Sequence, residues 1–129
     1  MRKQYHFQRT KRGLLAWDVH RLVELSAGLE PIDVPLSEIK ELDETFWFDP
    51  EIDAGRDAPT CRRVALHARL IQDTDLAHPI ILASDGRVMD GMHRVCKALI
   101  EGRETIRAVR FEVDPEPDYV NVDPDELPY

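Results

Sequence analysis

The run Pro79–Phe111 (PIILASDGRVMDGMHRVCKALIEGRETIRAVRF) constrains the fold of this chain more than any other stretch. Pro79–Ala83 reads as a short apolar strand, closed by the tight-turn sequence Ser84-Asp85-Gly86. Arg87–Asp90 reads as a second strand that passes through Gly91 straight into a helix starting at His93. That helix, His93–Glu101, gathers Met92, Val95, Ala98 and Leu99 on one side, with Cys96 and Ile100 widening the apolar face. Gly102 ends it, and Ile106–Phe111 is a third strand. A strand, a glycine and a helix opening with His-Arg make a natural anion site. The first N–H groups of a helix have no intrahelical acceptor, and here two donor side chains stand beside them. Arg94 suits bidentate contact with a phosphate, His93 can donate to a phosphate oxygen, and Gly91 permits close backbone approach. Asp90 is placed to orient a ribose, a magnesium ion or a helper arginine, or to act as a base.

Upstream, residues 1–13 carry Arg2, Lys3, Arg9, Lys11 and Arg12 without an acid, and Tyr5, His6 and Phe7 lie among them. Two readings are open. A basic arm with aromatics can track a phosphate backbone and stack bases. Alternatively, Tyr5–Gln8 pairs with Leu14–Trp17 in a hairpin turning at Lys11-Arg12-Gly13. Asp18 is the expected N-cap of a helix Val19–Ala27 with a stripe of Val19, Leu22, Val23 and Leu25–Ser26. Pro31–Pro35 is extended, and Ser37 is expected to cap a short helix through Leu42.

The pattern breaks from Asp43 to Pro59, a long loop whose Phe46-Trp47-Phe48 cluster either closes over a site as a lid or plugs the edge of the core. Thr60 caps the next helix, which runs to Gln72 with Cys61, Val64, Ala68 and Ile71 on one face and His67 at its edge. Arg62 and Arg63 stand at its start, where cations oppose the helix dipole unless an anion is near. The tail, residues 112–129, is rich in acid and proline and is expected to lie extended on the surface, anchored by Tyr119, Val120 and Tyr129.

The 129 residues fit a single domain with a core of its own. A net charge of -8 argues against whole-surface attraction to nucleic acid or to an anionic membrane. Two cysteines, Cys61 and Cys96, are too few for a disulfide framework, so both are expected reduced in a cytoplasmic protein. No apolar run is long enough to span a bilayer. Walker, Gly-x-Gly-x-x-Gly, His-Glu-x-x-His and Gly-x-Ser-x-Gly motifs are all missing, and His78, His93 and the aspartates have no diagnostic metal spacing.

The decapeptide Asp85–Arg94, with Ala98 and Gly102 after it, resembles the central motif of the ParB/sulfiredoxin-like family. Val34-Pro-Leu-Ser-Glu-Ile, the helix Thr60–Gln72 and Pro79-Ile80 fall in the order expected of that family, so the resemblance covers Val34–Phe111. It implies an α+β fold, a small mixed sheet of about four strands surrounded by helices. It implies a nucleotide triphosphate (ATP or CTP), with Mg2+, as ligand. Gly91, Met92, His93 and Arg94 would then lie at the phosphates, with Thr60, Arg62, Arg63 and His67 as further contacts. Asp90 and His93 would be catalytic in an NTP hydrolase or small-molecule phosphotransferase, and Asp85 and Asp90 would hold the metal. Met92 stands where sulfiredoxins place a cysteine, so reduction of cysteine sulfinic acid is not implied. Gly-Met-His-Arg replaces the Gly-Glu-Arg-Arg box of partition proteins, so a chromosome-partition clamp is not implied either. The alternative function is a non-catalytic module binding DNA through the basic arm, or binding a protein, with a homodimer as a further arrangement.

Overall fold

The computed structural model describes residues 4–48 and 59–129. Residues 1–3 of the basic segment and 49–58 of the long loop lie outside the described residues. In chain order the elements are β1 (Tyr5–Thr10), β2 (Gly13–Asp18), α1 (Val19–Ser26), β3 (Ile32–Pro35), α2 (Cys61–Asp73), β4 (Ile80–Leu82), β5 (Val88–Asp90), α3 (Met92–Ile100), β6 (Thr105–Arg110) and β7 (Tyr119–Val120). The class is α+β, with two small sheets and three helices among the described residues.

The larger sheet has the order β3-β6-β4-β5. β4 runs parallel to β6, while β3 and β5 are antiparallel edges. Its central strand β4 reads as an unbroken apolar run because both of its faces are covered. Ile80 and Leu82 point into one core with Val88, Met92, Val95, Ala98, Ile106 and Ala108. Ile81, alternating with them, joins a second core with Met89, Val109, Phe111, Leu15, Trp17 and Leu22. Helix α3 thus covers one face, and the hairpin with α1 covers the other.

Residues 5–18 form the expected hairpin. Tyr5 pairs with Asp18, Phe7 with Ala16 and Thr10 with Gly13. The tail returns to it: β7 adds to β2 with Leu15 opposite Val120, giving the second sheet its third strand. Trp17 Nε1 donates to the Pro115 carbonyl at 2.8 Å, and Asp118 accepts from the Asp18 N–H at 2.8 Å. Tyr119 and Tyr129 pack edge-on against Tyr5, with ring centroids 6.0 and 5.3 Å away, and Leu127 adds a buried anchor, while Val120 and Tyr129 keep part of their surface exposed.

Local chemistry sets the helix limits. Asp18 accepts from the His20 N–H at 2.9 Å, and Thr60 from the Arg63 N–H at 3.2 Å. After Ile100 the Arg103 N–H reaches back to the Ala98 carbonyl at 3.0 Å, closing α3.

Several expectations are corrected. The helix expected from Ser37 to Leu42 is two 3-10 turns, Leu36–Glu38 and Lys40–Asp43, and Ser37 does not cap it. The first begins after Pro35, whose ring fixes the entry and leaves no room for a longer helix start. In α1 only Leu22 and Ser26 are buried, while Val23 and Leu25 are exposed. In α3 Leu99 and Ile100 are exposed, because Ala98 and Val95 already fill the space against the sheet. Helix α2 buries no residue fully, and Val64 and Ala68 face solvent. Its inward side is Arg63, His67 and Ile71, spaced four apart.

Candidate functional site

Helix α3 opens at Gly91, which stands in the left-handed region with φ +108 and offers no side-chain cap. A Cβ there would sit 2.6 Å from Ile80 Cγ2 and 2.8 Å from the Arg94 guanidinium. The backbone is therefore pressed between a core side chain and the arginine. Arg94 curls back over this turn to meet Asp90 at 3.1 Å, and both side chains are largely covered. The Arg94 Nε is buried and has no hydrogen-bond partner among the described residues. Met92 points the other way, into the core, so it contributes only its backbone N–H to the junction.

His93 leaves the first turn of α3 toward α2. Its Nε2 lies 2.9 Å from Nδ1 of His67, so one ring donates and the other accepts. Trp47 stacks on both imidazoles, with ring centroids 4.4 Å from His67 and 4.5 Å from His93 and interplanar angles of 20° and 15°. The imidazole centroids are themselves only 5.2 Å apart, so the indole caps one side of a hydrogen-bonded pair rather than lying between the rings. Phe48 meets His67 edge-on at 5.5 Å, and Phe46 meets Trp47 edge-on at 6.0 Å. Lid and plug thus describe the same residue: Trp47 packs against the core and covers the histidines.

The two helices run nearly parallel. His67 meets His93 near the start of α3, and Lys97, one turn on, donates to the carbonyls of Gln72 at 3.0 Å and Thr74 at 2.6 Å. With about 1.5 Å of rise per residue, Arg63 stands about 6 Å beyond His67 along the shared direction. Arg63 is half-buried on that inward side of α2. Arg62 is exposed, and the Thr60 hydroxyl is taken by the Arg63 N–H.

The junction therefore brings together Asp90, Gly91, His93, Arg94 and His67, with Trp47 as cover. Asp85 is elsewhere. It lies in the β4–β5 turn, accepting from the Arg87 N–H at 3.0 Å, while Asp90 is at the far end of β5. Among the described residues no group of three or more His, Cys, Asp or Glu is placed to hold a metal. No described helix is long and apolar enough to cross a membrane.

Burial holds the His93 imidazole neutral, with a pKa lowered from 6.5 to about 4; His67 and the Arg94 charge add to the effect. Burial likewise raises the Cys96 thiol, which suits a packing residue rather than a nucleophile.

A cavity of about 390 Å³ opens at the other end of the sheet, between β3, the 3-10 turns and the β4–β5 turn. Two of the three cations in its lining, Arg87 and Arg110, are engaged by the protein itself. Arg87 contacts Glu44 through two hydrogen bonds of 2.8 and 2.6 Å, and Arg110 donates to the Ser84 carbonyl at 3.0 Å. At the hairpin, Arg12 lies 3.6 Å from Glu116 and Arg21 3.1 Å from Asp118, so acids of the tail rest against its basic side chains.

What sequence reasoning missed is the convergence of Trp47, His67 and His93. The only signal was His67 at the edge of the expected helix face, four residues after Arg63. Compared with known protein families, curated proteins and solved structures, the chain matches none.

Proposed function

We propose that this chain binds a nucleotide triphosphate, with its phosphates at the Gly91–Arg94 junction. One observation carries the reading: an uncapped helix start lies beneath an arginine whose buried Nε lacks an acceptor. Phosphate oxygens would satisfy both the helix N–H groups and that nitrogen. His93, neutral in the free protein, would act there as a hydrogen-bond donor. Asp90, already beside Arg94, is the carboxylate that any phosphoryl chemistry here would draw on.

The test is thermal shift and calorimetric titration with ATP, CTP and GTP, each with and without magnesium. Stabilisation by at least one nucleotide is expected. Charge-assisted hydrogen bonds contribute about 1.5–3 kcal/mol each, so Arg94→Ala should weaken binding by about 10- to 150-fold. Arg94→Lys, which keeps the charge but not the fork, should fall between. A chain that responds to no nucleotide would remove the proposal.

A further inference from the structure

The His67–His93 contact at 2.9 Å sets a limit on protons. Two neutral imidazoles share this bond with one N–H pointing at one lone pair. A single added proton leaves it intact, as an imidazolium donating to an imidazole. A second proton would put N–H against N–H and break it. The pair can therefore hold one positive charge without rearranging, and it lies beside the start of α3.

The charged groups around the pair make that proton unwelcome in the free protein. From α3 come Arg94 and the positive end of the helix. Among the described residues the acid beside the junction is Asp90 of β5, 3.1 Å from Arg94. Trp47 and Phe48, packed on the rings, bring no charge. An anion at the junction reverses the balance, since an opposite charge within about 4–6 Å favours the charged form by about one to three pH units. The indole face of Trp47 also favours a cation held against it.

We propose that an anion bound at the Gly91–Arg94 junction draws one proton from the buffer onto the His67–His93 pair beneath Trp47. An N–H bond forms on the pair as the buffer acid's bond to that proton breaks, and the buffer is left as its conjugate base. Affinity for anions then rises as pH falls. This rests on the reading of the junction as a phosphate site, and the experiment separates the two.

The probe is sulfate, whose own charge is constant from pH 5 to 8, titrated into the whole protein by calorimetry. Its affinity should increase toward pH 5, by at most about tenfold per pH unit for a single linked proton. At pH 5.5 the heat should depend on the ionisation enthalpy of the buffer, giving an uptake between zero and one proton. In Trp17→Phe, where Trp47 is the only indole, sulfate should quench emission at pH 5.5 and not at pH 8. His67→Phe keeps a ring beneath Trp47, and its sulfate affinity, whatever its value at pH 8, should lose its pH dependence and its buffer-dependent heat. Sulfate binding with no pH dependence and no buffer-dependent heat overturns the coupling while the phosphate site stands. Uptake that survives in His67→Phe overturns it as well, by placing the proton elsewhere. If neither sulfate nor any nucleotide binds at any pH, the phosphate site itself falls and the coupling with it.

Discussion

Gly91 is strained by two separate constraints, and substitution can weigh them. Its φ of +108 disfavours any Cβ, and the space a Cβ would need is held by Ile80, which is fully buried. Gly102, with φ +76, has nothing within 4 Å of the same position. Gly102→Ala should thus cost only the backbone penalty, about 1–2 kcal/mol. Gly91→Ala adds overpacking against Ile80 and should cost about 2–4 kcal/mol or more in urea unfolding. Equal losses would mean that Ile80 yields. A similar contrast separates two acids that share Arg87. Glu41 is 1% exposed, lies 3.5 Å from Arg87 Nε and accepts from the buried Val88 N–H, whereas Glu44 is 42% exposed. Glu41→Ala should cost about 2–4 kcal/mol, because it leaves an N–H without an acceptor, and Glu44→Ala less than about 1 kcal/mol.

Among elements, legibility followed range. Pro79–Phe111 was readable because its turn, its glycine junction and its helix end are set by neighbours a few residues apart. Helix α2 had the right limits but the wrong face. Its apolar period favoured Cys61, Val64 and Ala68, while its orientation is set by His67 on His93 and by Lys97 on its last carbonyls. Those contacts lie 26 and 25 residues apart, and no local pattern encodes them. The strand β7 was also hidden, since two residues in a proline-rich tail carry no alternation to detect. Its docking can still be tested. Leu127 is 4% exposed and Val113 is 83% exposed, although both sit in the same acidic tail. Leu127→Ala should cost about 2–4 kcal/mol and Val113→Ala less than about 0.5 kcal/mol. Matching small losses would mean that the tail contributes little to the fold.

At the scale of the whole molecule, the two cores share one sheet. Ile80 and Leu82 face the helices, and Ile81 between them faces the hairpin, so neither core can open without disturbing β4. Each core also carries a histidine held neutral beside a tryptophan. His93 lies under Trp47, and His6 is 5.6 Å from Trp17, its pKa lowered to about 4 by burial and then by Arg87, with Asp85 opposing. In the unfolded chain both rings take a proton near 6.5, while the native rings stay neutral down to about 4. Between those values the unfolded state binds more protons, so stability must fall as pH falls. Above that window these groups contribute no slope, and below about 4 they add no further loss. Glu44 does not confuse the upper part, because its hydrogen bond to Arg87 keeps its titration below 4.5. The urea midpoint should therefore drop from pH 6.5 to 4.5, and His6→Phe and His93→Phe should each flatten part of the slope. Trp17→Phe and Trp47→Phe leave one indole per core to report. If the shared strand couples the cores, each variant's emission should give the same midpoint as its circular dichroism at every pH in the window. A Trp47 signal that changes ahead of the circular dichroism at pH 4.5 would instead show the helical core opening by itself.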